Sequence, residues 1–415
     1  MKDKKRFLIL TADAGFGHRS VANAVAAALE QVHGEACEVL IINPLDSKDA
    51  PFFLKDNASD YDKIVRTAPQ IYRLGYEASD HGVPSRLMES VLIVSMYELM
   101  RDIVREHQPD AILTTYPVYQ APMQAYLSIN KMNIPLMTVV TDLVTVHRIW
   151  FYPGVTACMV PTEEVRTLAL ENNLAEERIH LTGIPVSPKF ADPRNDKNTI
   201  RRALGWEPNL PTFLAVGSRR VNKLIKMLHI LNHFGAPLQV VAVAGKDKEL
   251  YQQLRQMEWH VPVHIYDFVE NIPDFLLASD AILCKAGGLI VTESLAAGLP
   301  ILLIDVIPGQ EEGNRDYVVK NKAGVMVETP LQLLEIQAHW MADDRRLMQV
   351  YARKASMLGH PKAAFDVAER LWRASQEKPA RGSEKSGSDI LPLVDLLTHH
   401  NIPWMEARKN NGYSD

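Results

Sequence analysis

The sequence predicts an α/β protein of two doubly wound, Rossmann-like halves facing each other across a cleft, with a helical C-terminal segment. Three observations carry this expectation. Short β-branched runs alternate with amphipathic helical stretches. The alternation stops near residues 185–211 and then restarts. The chain also has the size and make-up of a globular protein with two cores, at 415 residues, 47% hydrophobic and 23% charged.

Residues 7–11, 39–42, 111–114 and 136–140 read as buried parallel strands. Between them, Val21, Val25, Leu29 and Val32 repeat at helical spacing, as do Leu92, Met96, Leu99 and Ile103. The break is built from Ile184-Pro-Val-Ser-Pro188, a polar run at 192–198 and Trp206-Glu-Pro-Asn-Leu-Pro211. It divides a first domain, 1–188, from a second, 189–375. Strands resume at 212–216, 239–243, 263–266, 281–284 and 301–304, and helices dominate after Leu331. Residues 377–388 have linker composition, so 376–415 is expected to be a linker and tail.

Composition narrows the function. A net charge of −5 excludes a general nucleic-acid binder. The three cysteines, Cys37, Cys158 and Cys284, are unclustered and fit a reducing compartment. No run approaches the length of a membrane span. The expected location is the cytoplasm, peripheral on the inner face of the cell membrane.

Two glycine sites follow strands. In Leu10-Thr-Ala-Asp-Ala-Gly-Phe-Gly-His-Arg-Ser20, Gly15 and Gly17 permit a tight turn into a helix whose first N–H groups are free. His18 at this tip suits general-base work; it equally suits a helix-start histidine bonded to a backbone carbonyl. Asp13 is placed to orient His18 or to accept loop N–H groups. In Lys285-Ala-Gly-Gly-Leu-Ile-Val-Thr-Glu-Ser294, Gly287 and Gly288 turn into a second helix able to hold a diphosphate, and Leu289 opens it. Glu293 stands where a carboxylate accepts ribose hydroxyls or simply favours the helix dipole. After the 301–304 strand, Gln310, Glu311 and Asn314 form a polar loop at the same sheet edge.

Together these residues resemble the GT-B fold glycosyltransferases, and within them the monogalactosyldiacylglycerol synthase and diacylglycerol glucosyltransferase group. The likeness spans most of 6–325 and rests on four separated motifs: Asp13-Ala-Gly-Phe-Gly-His-Arg19; Thr138-Val-Val-Thr-Asp-Leu143 with His147 and Trp150-Phe151; Thr182-Gly-Ile-Pro-Val186; and 285–293 leading to Pro308-Gly-Gln-Glu-Glu-Gly-Asn314. The resemblance implies an inverting hexose transfer from a UDP-sugar to a diacylglycerol-like lipid at a membrane surface. The UDP-sugar is then a donor substrate, with no cofactor and no metal required. It implies that His18 is the base or positions the acceptor. Gly17, Gly217, Arg219, Gly287, Gly288, Leu289 and Glu293 would hold the donor. Phe268 and Val269 would contact its base, and Gln310, Glu311 and Asn314 its sugar. Asp142, His147, Trp150 and Tyr116 fall on the acceptor side.

One departure stands out. Where the family has a glycine-rich phosphate loop, this chain reads Val216-Gly-Ser-Arg-Arg-Val-Asn-Lys223, with Arg219 and Arg220 able to offset diphosphate charge or to open a solvated helix. Asp60-Tyr-Asp62 follows no apolar strand and reads as surface, and His399-His400 has no zinc spacing. The apolar and tyrosine-bearing stretch 44–105, with Arg66, Arg73 and Arg86, suits either a lipid interface or ordinary helix core. A homo-oligomer is a further expectation. The competing readings are a polyprenyl-linked or small-molecule acceptor, a UDP-sugar 2-epimerase, and a non-catalytic nucleotide-sugar binder.

Overall fold

A computed structural model describes residues 4–13, 17–51, 54, 82–218, 223–308 and 311–376, with backbone only for 82–89. Two six-stranded sheets form the frame, and every strand pair is parallel. The first contains β1 (Lys5–Leu10), β2 (Cys37–Ile42), β3 (Ala111–Thr114), β4 (Leu136–Val139), β5 (Ala157–Val160) and β6 (Ile179–Leu181), in the order β2-β1-β3-β4-β5-β6. The second contains β7 (Thr212–Val216), β8 (Gln239–Val243), β9 (Val263–Tyr266), β10 (Ala281–Lys285), β11 (Ile301–Asp305) and β12 (Gly324–Met326), in the order β12-β11-β10-β7-β8-β9. The helices that matter for the site are α1 (Gly17–His33), α2 (Gly82–His107), α3 (Gly288–Ala296), α4 (Glu312–Lys320) and α5 (Ala363–Gln376).

Central strands are apolar throughout because both faces are covered. Phe7, Leu8, Ile9 and Leu10 are all fully buried. Phe7 and Ile9 face an apolar layer that runs without interruption from the first sheet through Ile184, Val186, Phe190 and Trp206 to Leu214 and Val241 of the second. Leu8 and Leu10 face a separate outer layer. Each sheet reverses its strand order once, between β1 and β3 and between β7 and β10. Crevices open at such reversals, beyond the carboxyl ends of the strands.

The last helix departs from the expected division. Residues 189–375 were expected to serve the second half, yet α5 returns to the first. Its buried positions Ala364, Val367, Ala368, Leu371 and Ala374 repeat at helical spacing, and the Trp372 ring stacks on His33 of α1 at 3.7 Å and lies 5.8 Å from Phe7. The chain therefore crosses between the halves twice, and the two crossings touch. Gly183, just after β6, has φ +80°, and a β-carbon there would lie 2.3 Å from the Cβ of His360.

This contact generates a prediction. Gly183→Ala combines a left-handed backbone, costing about 1–2 kcal/mol, with overpacking of about 1–3 kcal/mol. The His360 atom in its way is next to the backbone and cannot swing aside. Urea unfolding should show the variant destabilised by roughly 2–4 kcal/mol, and an unchanged midpoint would refute the contact.

Candidate active site

His18 is the second residue of α1 and sits at the β1/β3 reversal. Its Nδ1 lies 2.8 Å from the carbonyl oxygen of Thr115, just past β3, and 2.9 Å from the hydroxyl of Thr141, just past β4. The Tyr116 ring meets the imidazole edge-on at 4.9 Å, and the Trp150 ring lies 6.2 Å away. Burial pushes the imidazole down to about 4, against a smaller upward pull from the Thr115 carbonyl. His18 is therefore neutral near pH 7, as a general base must be.

Asp13 does not serve His18. Its exposed carboxylate is forked by Arg19, with Nε and Nη2 donating at 2.9 and 2.8 Å, and Asn43 donates to it at 3.4 Å. The Arg19 bond holds Asp13 below the usual carboxylate range. Asp13 thus ties the segment after β1 to Arg19 of α1 and to Asn43, and the Nδ1 partners of His18 are Thr115 and Thr141.

The acceptor-side candidates assemble around Trp150, which is almost fully buried. Trp150 donates its indole N–H to Asp142 at 2.9 Å. Burial pushes the Asp142 carboxyl up to about 6, and the Trp150 bond opposes this. His147 is also buried, and its Nδ1 accepts the Ile149 N–H at 3.2 Å, capping the short helix Arg148–Trp150. Its role on these contacts is to place Trp150.

Across the cleft, α3 begins at Gly288 with Gly287 as its N-cap and no side chain capping it. Its first N–H groups are available to an anion. A β-carbon built on Gly288 would lie 3.8 Å from the carbonyl oxygen of Thr141 and 3.8 Å from Nδ2 of Asn314. The start of α3 thus faces the residue that holds His18. Leu289 is half-buried beside it. Glu293, one turn further, is only 4% exposed, and burial pushes its carboxyl up to about 8.

The loop after β11 is organised differently from the expectation. Glu311 is buried and paired with Lys285, and its second oxygen accepts the Ile307 N–H at 3.0 Å. Asn314 on α4 donates to the Ala286 carbonyl at 2.9 Å. Both residues knit the β10 and β11 loops together, and Glu311 contacts Lys285 where a free sugar-binding group was expected. Gly217 is closely packed: a β-carbon there would lie 2.4 Å from the Cδ2 methyl of Leu250 and 2.9 Å from that of Leu224. Phe268 is exposed beyond β9 with the Lys246 ammonium 4.1 Å from its ring centre, and Val269 packs on the core beside it. Among the described residues, nothing lies within 4 Å of where a β-carbon on Gly17 would stand. Arg219 and Gln310 lie outside the described residues, as do Asp60, Asp62, His399 and His400. Among the described residues, no group of three or more His, Cys, Asp or Glu is placed to hold a metal ion.

Thr141, Thr115 and Lys285 join the site without having been expected there. Threonine and a main-chain carbonyl carry no chemical signature in a sequence. Lys285, ending a strand just before Ala-Gly-Gly, offered a weak one.

Comparison with known proteins agrees with this geometry. A family model described as "Monogalactosyldiacylglycerol (MGDG) synthase" matches residues 18–186, and one described as "Glycosyl transferases group 1" matches 196–355. Monogalactosyldiacylglycerol synthase 3 of Arabidopsis thaliana is 31% identical over 389 residues, covering 90% of this chain and 82% of that protein. The chain belongs to the monogalactosyldiacylglycerol synthase family. Synthase 1 of the same plant is 30% identical over 388 residues, covering 90% of this chain and 72% of its own length. The protein is accordingly a glycosyltransferase of the GT-B fold. Among solved structures, the glycosyltransferase SnogD from Streptomyces nogalater superposes with a TM-score of 0.54 at 16% identity, covering 90% of this chain and all of that one. The UDP-GlcNAc 2-epimerase from Neisseria meningitidis gives 0.53 at 14% identity, with 89% and all covered. These two likenesses concern the fold alone.

The buried Glu293 carboxyl sets a stability prediction. Its value rises from 4.5 to about 8 on folding, so between those pH values the folded chain holds a proton that the unfolded chain has released. Stability contributed here is present below pH 4.5 and is lost as pH climbs to about 8. Glu293→Gln removes this loss. Without ligand, the variant should be more stable than the parent at pH 8 by ~2–4 kcal/mol, the two converging near pH 4.5. A pH-independent difference would show that Glu293 is solvated.

Proposed function

We propose that the enzyme moves a hexose from a UDP-sugar to diacylglycerol at a membrane surface, with inversion at the anomeric carbon, and so makes a glycolipid. One observation carries the reading. A neutral histidine at the strand reversal of one sheet faces, across Thr141, an uncapped glycine helix start at the strand reversal of the other. A base and a cradle for a departing diphosphate are what a single displacement needs. In this reading His18 takes the proton of the acceptor hydroxyl as its oxygen attacks the anomeric carbon. The N–H groups of α3 receive the charge that develops on the diphosphate. Glu293 accepts the ribose hydroxyls, whose hydrogen bonds compensate its burial and favour its ionised form. Phe268 and Val269 flank the base, and Asn314 with Gln310 and Glu311 borders the sugar. Tyr116, Asp142, His147 and Trp150 form the acceptor wall.

The acceptor class follows the relatives, which are named for monogalactosyldiacylglycerol synthesis. A lipid acceptor calls for access to a bilayer. No described helix is long and apolar enough to cross a membrane. Val91 and Val94, one helical turn apart on α2, are about half exposed, at 48% and 51%, and suit surface contact.

The test is turnover with UDP-galactose, UDP-glucose and UDP-N-acetylglucosamine, each with vesicles containing or lacking diacylglycerol. The expected result is UDP release coupled to a new glycolipid, dependent on diacylglycerol and on one donor. UDP release that ignores the lipid would overturn the acceptor. His18→Ala should lose roughly 10²–10⁴-fold in kcat while still binding UDP.

A further inference from the structure

The two oxygens on Nδ1 of His18 have a chemical consequence. A carbonyl oxygen only accepts, so the 2.8 Å contact with Thr115 means that Nδ1 carries the proton of the neutral ring. Nε2, which makes no hydrogen bond among the described residues, keeps the lone pair and is the atom that can take a proton. When it does, the ring becomes a cation, and the single Nδ1–H, shared between the Thr115 and Thr141 oxygens as a three-centre bond, becomes charge-assisted and stronger. An acid–histidine pair obtains this support from a carboxylate. Among the described residues no carboxylate bonds this ring: Asp13 is forked by Arg19, and Asp142 accepts from Trp150.

Thr141 is the partner that has two loyalties. Its side-chain hydroxyl holds the imidazole, and its carbonyl oxygen lies 3.8 Å from where a β-carbon on Gly288 would stand. It is only 9% exposed, closed in by both halves. The next contact along the same segment is tighter. A β-carbon on Gly313 would lie 2.2 Å from the Thr145 hydroxyl and 3.3 Å from the Thr145 nitrogen. The stretch from Thr141 to Thr145 is thus seated between His18 on one side and the starts of α3 and α4 on the other.

We propose that Thr141 is the positioning residue of His18: its hydroxyl sets the rotation of the imidazole and shares the charge of the imidazolium, and its main chain sets the spacing between that ring and the donor helix. The proposal rests on the reading of His18 as the base. It adds that two uncharged oxygens, one supplied by the residue at the junction of the halves, do the work of an acidic partner.

The experiment compares Thr141→Val, which keeps the shape and removes the hydroxyl, with Thr141→Ser, which keeps the hydroxyl. Thr141→Val should lose about 10–100-fold in kcat, the effect of one hydrogen bond to a charged group, with the KM values for both substrates unchanged within about twofold. Thr141→Ser should recover most of the loss. Nitrogen-15 NMR of the histidine-labelled parent enzyme at pH 7, assigned with His18→Ala, should show His18 protonated on Nδ1 and bare on Nε2, a result that does not depend on any variant folding. Full kcat in Thr141→Val, a loss confined to KM, or a proton on Nε2 would overturn the role of Thr141 while leaving the base reading in place. Undiminished turnover in His18→Ala would overturn the base reading itself, and this proposal with it.

Discussion

The closeness of the two halves depends on the absence of a side chain at Gly313. Gly313 has no room for even a methyl group, because the Thr145 hydroxyl occupies that volume, and Gly288 faces the Thr141 carbonyl. Gly313 does not have a positive φ, so its value here is close approach. That approach brings the β1/β3 reversal of one sheet against the β7/β10 reversal of the other. The helix starts at both reversals, with His18 on one and Gly288 on the other, then share a single gap. On the opposite flank, α5 ties the halves together through Trp372 on Phe7 and His33, and the Gly183–His360 contact closes the crossing.

Desolvation is the common electrostatic feature of this gap. His18 is held neutral, and the Glu293 and Asp142 carboxyls are pushed up to about 8 and about 6 with no cation among the described residues to offset the burial. Such groups are costly without ligand and acquire partners when one binds. Asp280, at the far end of the second sheet, shows the opposite design. Burial raises it, but Lys197 and Arg201, donating at 2.9 and 2.6 Å, hold it below the usual range. Asp280 is fully provided for and structural, whereas Glu293 and Asp142 have no described cation beside them. The residue type does not separate these cases, and only the surroundings do.

Most of the frame was legible in the sequence, because strands buried on both faces are apolar runs, often rich in β-branched residues. Four strands, 111–114, 212–216, 239–243 and 263–266, coincide with their expected bounds, and five others differ by one or two residues at an end. Three escaped notice for physical reasons. β6 and β12 have three residues each and lie at sheet edges, and β5 reads Ala-Cys-Met-Val, with one β-branched residue. The return of α5 to the first half could not be read at all, since its apolar stripe states that it packs but not on what. The motifs located the glycine loops, His18, Glu293 and the Asp142–Trp150 segment. They misjudged partners: Arg19 was not foreseen on Asp13, nor Lys285 on Glu311, nor the leucines packed against Gly217. Pairings of that kind are made in three dimensions by residues far apart in the chain, and Thr141 on His18, separated by 123 positions, is the clearest instance.

In the mechanism we propose, a single base and a single cradle across one gap allow one displacement, and one displacement has one stereochemical outcome. The most direct measurement is therefore proton NMR of the purified glycolipid, reading the coupling at the anomeric proton. With an α-linked UDP-hexose as donor, in-line attack assisted by His18 predicts a β-glycoside, seen as a large diaxial coupling. An α-glycoside would contradict the arrangement of base and leaving group derived from these residues.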